Sequence, residues 1–449
     1  MAGGKIRIYD LSGELNLDNK EILDICESLN IAFKSLSSTI TLADAERIKA
    51  TLQKHGSSLS YLRSKPLPVQ IKNLSIKGFR RLQSVNLTMK RLTVLIGANG
   101  AGKTSFLDVI FLLSASARGD LKNSLQRQGG LKEILTRGKV QELEISVEME
   151  VQKPSPFNYH FVLSPQGFSY NITEETLTQQ QKFKSPSPFR YIESQGLDVK
   201  YFSQVERKLL RPNWDHNPLE TSLSQVPKMY REPENLRKSL ADCTYYAALD
   251  VSERSPIRLP QPMRPASLPG KNGESLISCL YNLRETDRDR FEWLEDILAA
   301  AFPDFERLNF PPVAAGTLSM TWSDRHFPEP IYIHELSEGT LRFLWLATLL
   351  QSQNLTTFTL IDEPEVSLHP ELLKHLVDLM REAAKHTQLI VATHSDRLIR
   401  FLEPEEILIC DLEEGQAKMT WANTLNLNKW LEDYSLDQLW AMNILGGRP

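Results

Sequence analysis

Long uninterrupted apolar runs are missing from this 449-residue chain. The two most apolar helix candidates, residues 106–117 and 341–350, are too short to span a bilayer, and each carries an ionisable residue, Asp108 or Arg342. No membrane contact and no transporter permease are therefore expected. Cysteine is scarce: Cys26, Cys243, Cys279 and Cys410 lie far apart and form no C-x-x-C pair. That spacing excludes a zinc ribbon or a disulfide framework and fits a reducing cytoplasm. No apolar signal segment follows Met1. Net positive charge is lacking too, since 52 lysines and arginines face 56 acids for a formal charge of −4. The chain as a whole has no pull on nucleic acid or an anionic membrane, so any DNA contact needs a local patch. Internal repeats and low-complexity tracts are also absent. With 41% hydrophobic and 24% charged residues, what remains is the balance of a soluble globular chain of two or three domains.

Two glycine-bearing motifs, far apart, carry the chemistry. Gly97-Ala98-Asn99-Gly100-Ala101-Gly102-Lys103-Thr104, followed by Ser105, fits the G-x-x-x-x-G-K-[ST] loop. Its glycines let backbone N–H groups cradle phosphates at a helix start. Lys103 is placed to neutralise β/γ oxygens and Thr104 to offer a hydroxyl to Mg2+. Many unrelated nucleotide-binding proteins share this loop. Leu336-Ser337-Glu338-Gly339-Thr340 narrows the field to ABC-type ATPases. There the Ser337 hydroxyl, the Gly339 backbone and the helix dipole form an anion site, filled in ABC proteins by the ATP of a second subunit. The apolar strand Phe358-Thr359-Leu360-Ile361 delivers Asp362 for Mg2+ and Glu363 as general base for the attacking water. A second apolar strand, residues 389–393, delivers His394 at the end of a core strand, where it can bond the γ-phosphate. His369, in the turn after Glu363, is either a dimer-contact or a loop-closing residue. ATP and Mg2+ are the expected cofactors, and a homodimer with ATP sandwiched in it is the expected working state.

Along the chain, residues 1–54 read as a small α+β domain. Lys5–Tyr9 alternates as a strand, Asp18 is placed to cap a helix with Glu21 at the third position, and Thr41 to cap a second helix through Ala45 and Ile48. Residues 55–68 are turn-rich and read as a linker. Strands are expected over 71–76, 85–89, 92–96 and 142–151, with further alternating stretches over 157–204. This gives an N-terminal ATPase lobe over 69–204, an insertion or helical lobe over 205–330, and a C-terminal ATPase lobe over 331–449. The aromatics Tyr230, Tyr245 and Tyr246 read as core. A glutamine that links nucleotide to lobe motion is expected between the halves, and both Gln225 and Gln128 fit.

Two resemblances follow from these residues. The stretches K-I-R-I-Y-D-L-S-G-E-L-N-L at 5–17, I-L-D-I at 22–25 and L-N-I-A-F-K-S-L-S-S-T-I at 29–40 resemble the amino-terminal domain of bacterial translation initiation factor two. That family's units are recognition modules linked with RNA or ribosome contact. Here Lys5, Arg7, Lys20 and Lys34 are offset by Asp10, Glu14, Asp18 and Glu21, so a fused docking or regulatory module, with a protein effector as a candidate partner, is expected. From about residue 71 onward the chain resembles the RecF/SMC-related ATPases. The carrying stretches are I-K-G-F-R-R-L at 76–82, R-Q-G-G at 127–130, E-L-S-E-G-T-L-R-F-L at 335–344, I-D-E-P-E-V-S-L-H-P at 361–370 and A-T-H-S at 392–395. The tail at 430–440 with Gly446-Gly447 is typical of the group. The resemblance implies an α/β fold: an ABC-type P-loop head, with a mixed sheet flanked by helices and a large insertion. It also implies Arg80 in a loop near the nucleotide, and action on DNA in repair or phage defence. SMC proteins carry a long coiled coil between the lobes, but this insert lacks sustained heptads, so a DNA-embracing arm is not expected. The competing expectation is a nucleotide-controlled switch or scaffold that regulates a protein effector or a ribosomal partner.

Overall fold

The computed structural model describes residues 5–8, 11, 22, 26, 31, 39–54, 69–151, 155–180, 188–203, 206–227 and 230–447. Two compact units emerge, Met1–Leu67 with Val251–Ser337 and Pro68–Asp250 with Glu338–Pro449. In the first, β1 (Lys5–Arg7) pairs antiparallel with β2 (Thr39–Thr41), Ile6 opposite Ile40. Thr41 caps α1 (Leu42–Lys54), its hydroxyl oxygen accepting from the Asp44 N–H at 3.1 Å, as the sequence leads one to expect. Ile8, Leu11, Ile22, Cys26 and Ile48 are buried together, with Trp293 packed against them. The expected helix from Asp18 (save Ile22 and Cys26) and the whole of the expected linker 55–68 lie outside the described residues.

The larger unit is built on two sheets. Its first strands are β3 (Gln70–Phe79), β4 (Leu82–Thr88) and β5 (Leu92–Gly97), followed by α2 (Lys103–Arg118), α3 (Leu121–Arg127) and α4 (Leu131–Ile134). Then come β6 (Leu143–Glu150), β7 (Phe157–Gln166), β8 (Ser169–Gln179), β9 (Phe189–Gln195), β10 (Asp198–Ser203) and β11 (Lys208–Leu210). These strands, without β5, form an eight-stranded antiparallel sheet in the order β11-β10-β9-β8-β7-β6-β3-β4. Alternation drives it: Leu143, Ile145, Val147 and Met149 of β6 are buried, while their neighbours are only partly so. β5 is buried at every position and joins the other sheet, as a strand covered on both faces must.

After α5 (Arg231–Ala241) and β12 (Cys243–Tyr246) the chain enters residues 251–337. These hold α6 (Leu276–Thr286), α7 (Arg288–Ala301) and two three-stranded sheets. The sheets are formed by β13 (Gln261–Pro262), β15 (Pro312–Ala314) and β16 (Thr317–Leu318), and by β14 (Phe305–Asn309), β17 (Thr321–Asp324) and β18 (Ile331–Tyr332). The chain returns through α8 (Glu338–Leu350), β19 (Phe358–Asp362), α9 (Leu372–Ala383), β20 (Gln388–Ala392) and α10 (Asp396–Ile399). It closes with β21 (Ile407–Glu413), β22 (Gln416–Trp421), α11 (Asn428–Leu431) and α12 (Leu436–Ala441). The second sheet runs β12-β19-β20-β5-β21-β22, parallel except for β22.

α2 shares one hydrophobic core with both sheets, Phe106, Leu107 and Ile110 packing with Leu95, Phe161 and Leu360. That explains why this helix is apolar on most faces rather than along one stripe. The buried amide of Gln388 ties the sheets together. Its oxygen accepts from Ile71 N–H at 2.8 Å, and its nitrogen donates to the carbonyls of Ile71 and Lys90, both at 3.0 Å.

One boundary differs from expectation. The insertion does not begin at 205, because the chain up to Asp250 belongs to the larger unit. β11 extends the antiparallel sheet and β12 pairs with β19, Cys243 opposite Phe358. A strand whose partner lies more than a hundred residues downstream leaves no local signature.

Candidate active site

The strand ends of the parallel sheet build this site. Gly97 closes β5 opposite Cys410 of β21. A Cβ on Gly97 would stand 2.1 Å from the Cys410 carbonyl oxygen, and its φ of +147° is one that side chains rarely adopt. The loop then delivers Lys103 to the first position of α2, where its side chain is buried. Lys103 Nζ donates to the carbonyls of Gly97 (2.6 Å) and Ala98 (3.0 Å) and lies 3.3 Å from His394 Nδ1. Burial pulls the ammonium below the ordinary lysine range. Cys410 gives it no charge to pair with, because burial pushes that thiol up to about 12 and leaves it neutral. The opposing pull comes from the carboxylates of Asp362, Glu363 and Glu365.

Those carboxylates stand at the end of β19 and in the turn after it. Burial raises the Asp362 pKa, while a hydrogen bond from Tyr245 Oη to its Oδ2 (3.0 Å) opposes the rise. Glu363 follows in a left-handed backbone conformation, φ +51°, with its N–H donating to the Ala392 carbonyl at 2.8 Å. Such strain in a non-glycine residue persists only where surrounding contacts over-determine it. Its Oε1 lies 3.5 Å from His394 Nε2. Burial and the Lys103 charge lower the histidine pKa, so the ring is neutral at physiological pH. Lys103 has only protons to offer, so Nδ1 is the acceptor and Nε2–H faces Glu363. Lys103, Asp362, Glu363 and His394, assembled from three strand ends, thus converge.

Around them lie residues that the motif reading did not assign. Glu365 Oε1 accepts from Thr393 Oγ1 (2.7 Å) and His394 N–H (3.0 Å). The Arg81 guanidinium approaches to 3.9 Å of the point where Gly100 lacks a Cβ. Arg80, with φ +48°, donates to Asp108 Oδ2 at 2.5 Å and to Gln128 Oε1 at 3.0 Å. Of the two glutamine candidates, Gln128 therefore joins the Arg80–Asp108 cluster on α2. Gln225 is spent on a local loop, donating to the carbonyls of Asn217, Glu220 and Thr221. Tyr246 is core, as expected, but Tyr245 is not merely core, because its hydroxyl holds Asp362. The sequence signals for Arg81 and Glu365 were their adjacency to Arg80 and Glu363. For Tyr245 there was none short of the β12–β19 pairing.

Leu336 and Ser337 lead directly into α8. A Cβ on Gly339 would stand 2.6 Å from the Ser367 carbonyl oxygen, and Ser367 itself has φ +63°. This glycine lets the start of α8 pass against the loop that follows Glu363. Gly339→Ala is expected to push the two apart, lowering turnover by about tenfold or more while the fold survives. Turnover and thermal unfolding measured on the same preparation check this. His369 is exposed, with Nδ1 3.6 Å from Glu371 Oε2.

Residues 92–400 match the family described as "AAA domain, putative AbiEii toxin, Type IV TA system". The chain belongs to that family. The fold is that of an ATPase domain, and the protein is an ATP hydrolase. Residues 3–55 match the N-terminal region of translation initiation factor IF-2. The IF-2 of Synechocystis sp. is 67% identical over 54 residues, 12% of this chain and 5% of that protein. That of Thermosynechococcus vestitus is 61% identical over 61 residues, 13% of this chain and 6% of the factor. Through this N-terminal segment the chain spans about a twentieth of the length of these curated relatives.

Among solved structures, the SMC head domain of Thermotoga maritima is similar at 13% identity and a TM-score of 0.41, over 78% of this chain and 98% of that one. The Pyrococcus furiosus Smc head, bound to the C-terminal domain of ScpA, is similar at 14% identity and a TM-score of 0.47, over 84% and 98%. Among the described residues no helix is long and apolar enough to cross a membrane.

Among the described residues no group of three His, Cys, Asp or Glu side chains is placed to hold a metal ion unaided. The donor set still fits Mg2+, which typically takes one or two protein oxygens and completes its shell with water and nucleotide phosphates. Asp362 keeps an oxygen besides the one bonded to Tyr245, and Thr104 is exposed on the first turn of α2.

Proposed function

We propose that the ATPase hydrolyses ATP in a homodimer whose two nucleotides are sandwiched between the phosphate loop of one protomer and the signature residues Ser337 and Gly339 of the other. The observation that supports this reading is the convergence of four chemically active side chains beside the start of the signature helix. Lys103, Asp362, Glu363 and His394 converge at one set of strand ends, and Gly339 brings the start of α8 against Ser367 in the loop after Glu363. Backbone N–H groups of Gly97–Ser105 cradle the phosphates, and Lys103 turns from its loop carbonyls onto the β/γ oxygens. Thr104 and Asp362 hold Mg2+, which neutralises phosphate charge when bound. Glu363 orients a water in line with the γ-phosphorus and accepts its proton. His394 bonds the γ-phosphate through Nε2–H. Arg80, with Gln128, reports its loss toward the antiparallel sheet.

The test is the mass of Glu363→Gln in solution with and without Mg-ATP. A shift from monomer to dimer only with Mg-ATP is the expected result. A mass that stays monomeric with ATP bound removes the trans role of Ser337.

The work driven by hydrolysis is proposed to be on DNA in the cytoplasm, in repair or phage defence. The family's association with a toxin of a toxin–antitoxin system supports the defence role. Duplex DNA should then stimulate turnover, and the stimulation should fall steeply between low and physiological salt. A second reading, a nucleotide-controlled switch acting on a protein effector through residues 1–54, is supported by the packing of Trp293 on that module's core. No response to DNA, together with co-purification of one partner lost on deleting residues 1–54, would favour it.

A further inference from the structure

The buried carboxyl of Glu365 is only half used. One oxygen accepts from the Thr393 hydroxyl and the His394 backbone N–H, at 2.7 and 3.0 Å. The other, Oε2, is out of contact with solvent and has no hydrogen-bond partner. A carboxyl held this way is a poor device for stability, since a buried acceptor left unmade costs free energy that an apolar side chain of similar size would not. Its placement has a different consequence. Glu365 belongs to the turn that carries Glu363, and Thr393 and His394 follow β20. The backbone bond from Glu363 N–H to Ala392 joins the same two segments. Together the two contacts set the imidazole of His394 between Glu363, at 3.5 Å, and Lys103, at 3.3 Å.

We propose that Glu365 is a positioning residue of the hydrolytic site, its Oε1 clamping the Thr393 hydroxyl and the His394 backbone N–H so that the His394 ring stays aligned with Glu363 and Lys103. Glu365 does not touch nucleotide; it acts through His394. The groups facing it are Thr393 and His394 after β20, its own backbone N–H and Glu363 in its own turn, and Lys103 of the phosphate loop. The requirement is for an acceptor at this point rather than for a charge. A glutamine, whose carbonyl oxygen can take both bonds, should therefore serve, and an alanine should not.

This inference rests on the reading of Glu363 and His394 as the hydrolytic centre. Glu363→Gln is therefore run beside the others on the full chain: if it hydrolyses ATP normally, that reading fails regardless of what Glu365 does. For Glu365→Ala, kcat should fall about 10–100-fold while the Kd for a fluorescent ATP analogue stays within about threefold. Its thermal midpoint should be unchanged or higher. Glu365→Gln should keep kcat within about threefold of the parent. Thr393→Val removes one donor and should give a smaller loss, not additive with Glu365→Ala. It also keeps the test alive should the alanine variant fold poorly. The proposal is overturned if Glu365→Ala retains kcat within twofold, roughly the noise of such comparisons. It is equally overturned if its Kd rises in step with the loss of kcat, or if glutamine is as damaging as alanine.

Discussion

Glu363→Gln is expected to lower ATP turnover by about 10²–10⁴-fold while leaving Mg-ATP affinity within about threefold. The amide is isosteric and can still orient a water, but it cannot accept the proton that the water must lose. The left-handed backbone at Glu363 adds a second, separable expectation. An L-residue held there stores about 1–2 kcal/mol, which glycine would release and glutamine would not. Glu363→Gly should therefore unfold at a higher temperature than the parent and yet hydrolyse no faster than Glu363→Gln. Strain kept at the price of stability marks a position selected for where its side chain points. Steady-state turnover, nucleotide titration and thermal denaturation on the three proteins decide the matter. Residual turnover in Glu363→Gln within tenfold of the parent would assign the proton to another acceptor.

Gly97→Ala is expected to be the most damaging small substitution in the chain. The added methyl would fall 2.1 Å from the Cys410 carbonyl oxygen, between two central strands that cannot both move. Gly447 packs nearby under a constraint of its own, since a Cβ on it would lie 3.3 Å from Gly97 Cα. A cost of about 3 kcal/mol or more follows from the clash and the disallowed backbone together. The loop displaced with it should weaken ATP binding by about a hundredfold. Gly100→Ala serves as the graded control. It meets only the Arg81 guanidinium at 3.9 Å, so its cost is confined to a φ of +75°, about 1–2 kcal/mol. Denaturant midpoints and nucleotide titrations should rank Gly97→Ala well below Gly100→Ala. Equal stability and affinity for the two would show that β5 and β21 do not approach as described.

Periodicity and spacing by themselves determine much of this protein. β5 and β19 read as buried strands because nearly every position is apolar, and the glycine pattern between Gly97 and Thr104 admits few backbones other than a phosphate cradle. The cap at Thr41 and the start of α8 after Ser337 were legible for the same reason, since each depends on residues within one turn of the chain. Tertiary structure decided what local sequence has no means to encode. The extent of the insertion turned on β12 finding β19, and the role of Tyr245 turned on that same pairing, which carries its hydroxyl to Asp362. Glu365 carries no local signal of its role, which follows only from β20 placing Thr393 and His394 against it. Gly447 looked like part of a typical tail until its backbone was found beside Gly97. Motif residues are legible because their chemistry constrains neighbours a few positions away. The residues that hold them in place answer to strands hundreds of positions distant, and only the packed sheet brings the two together.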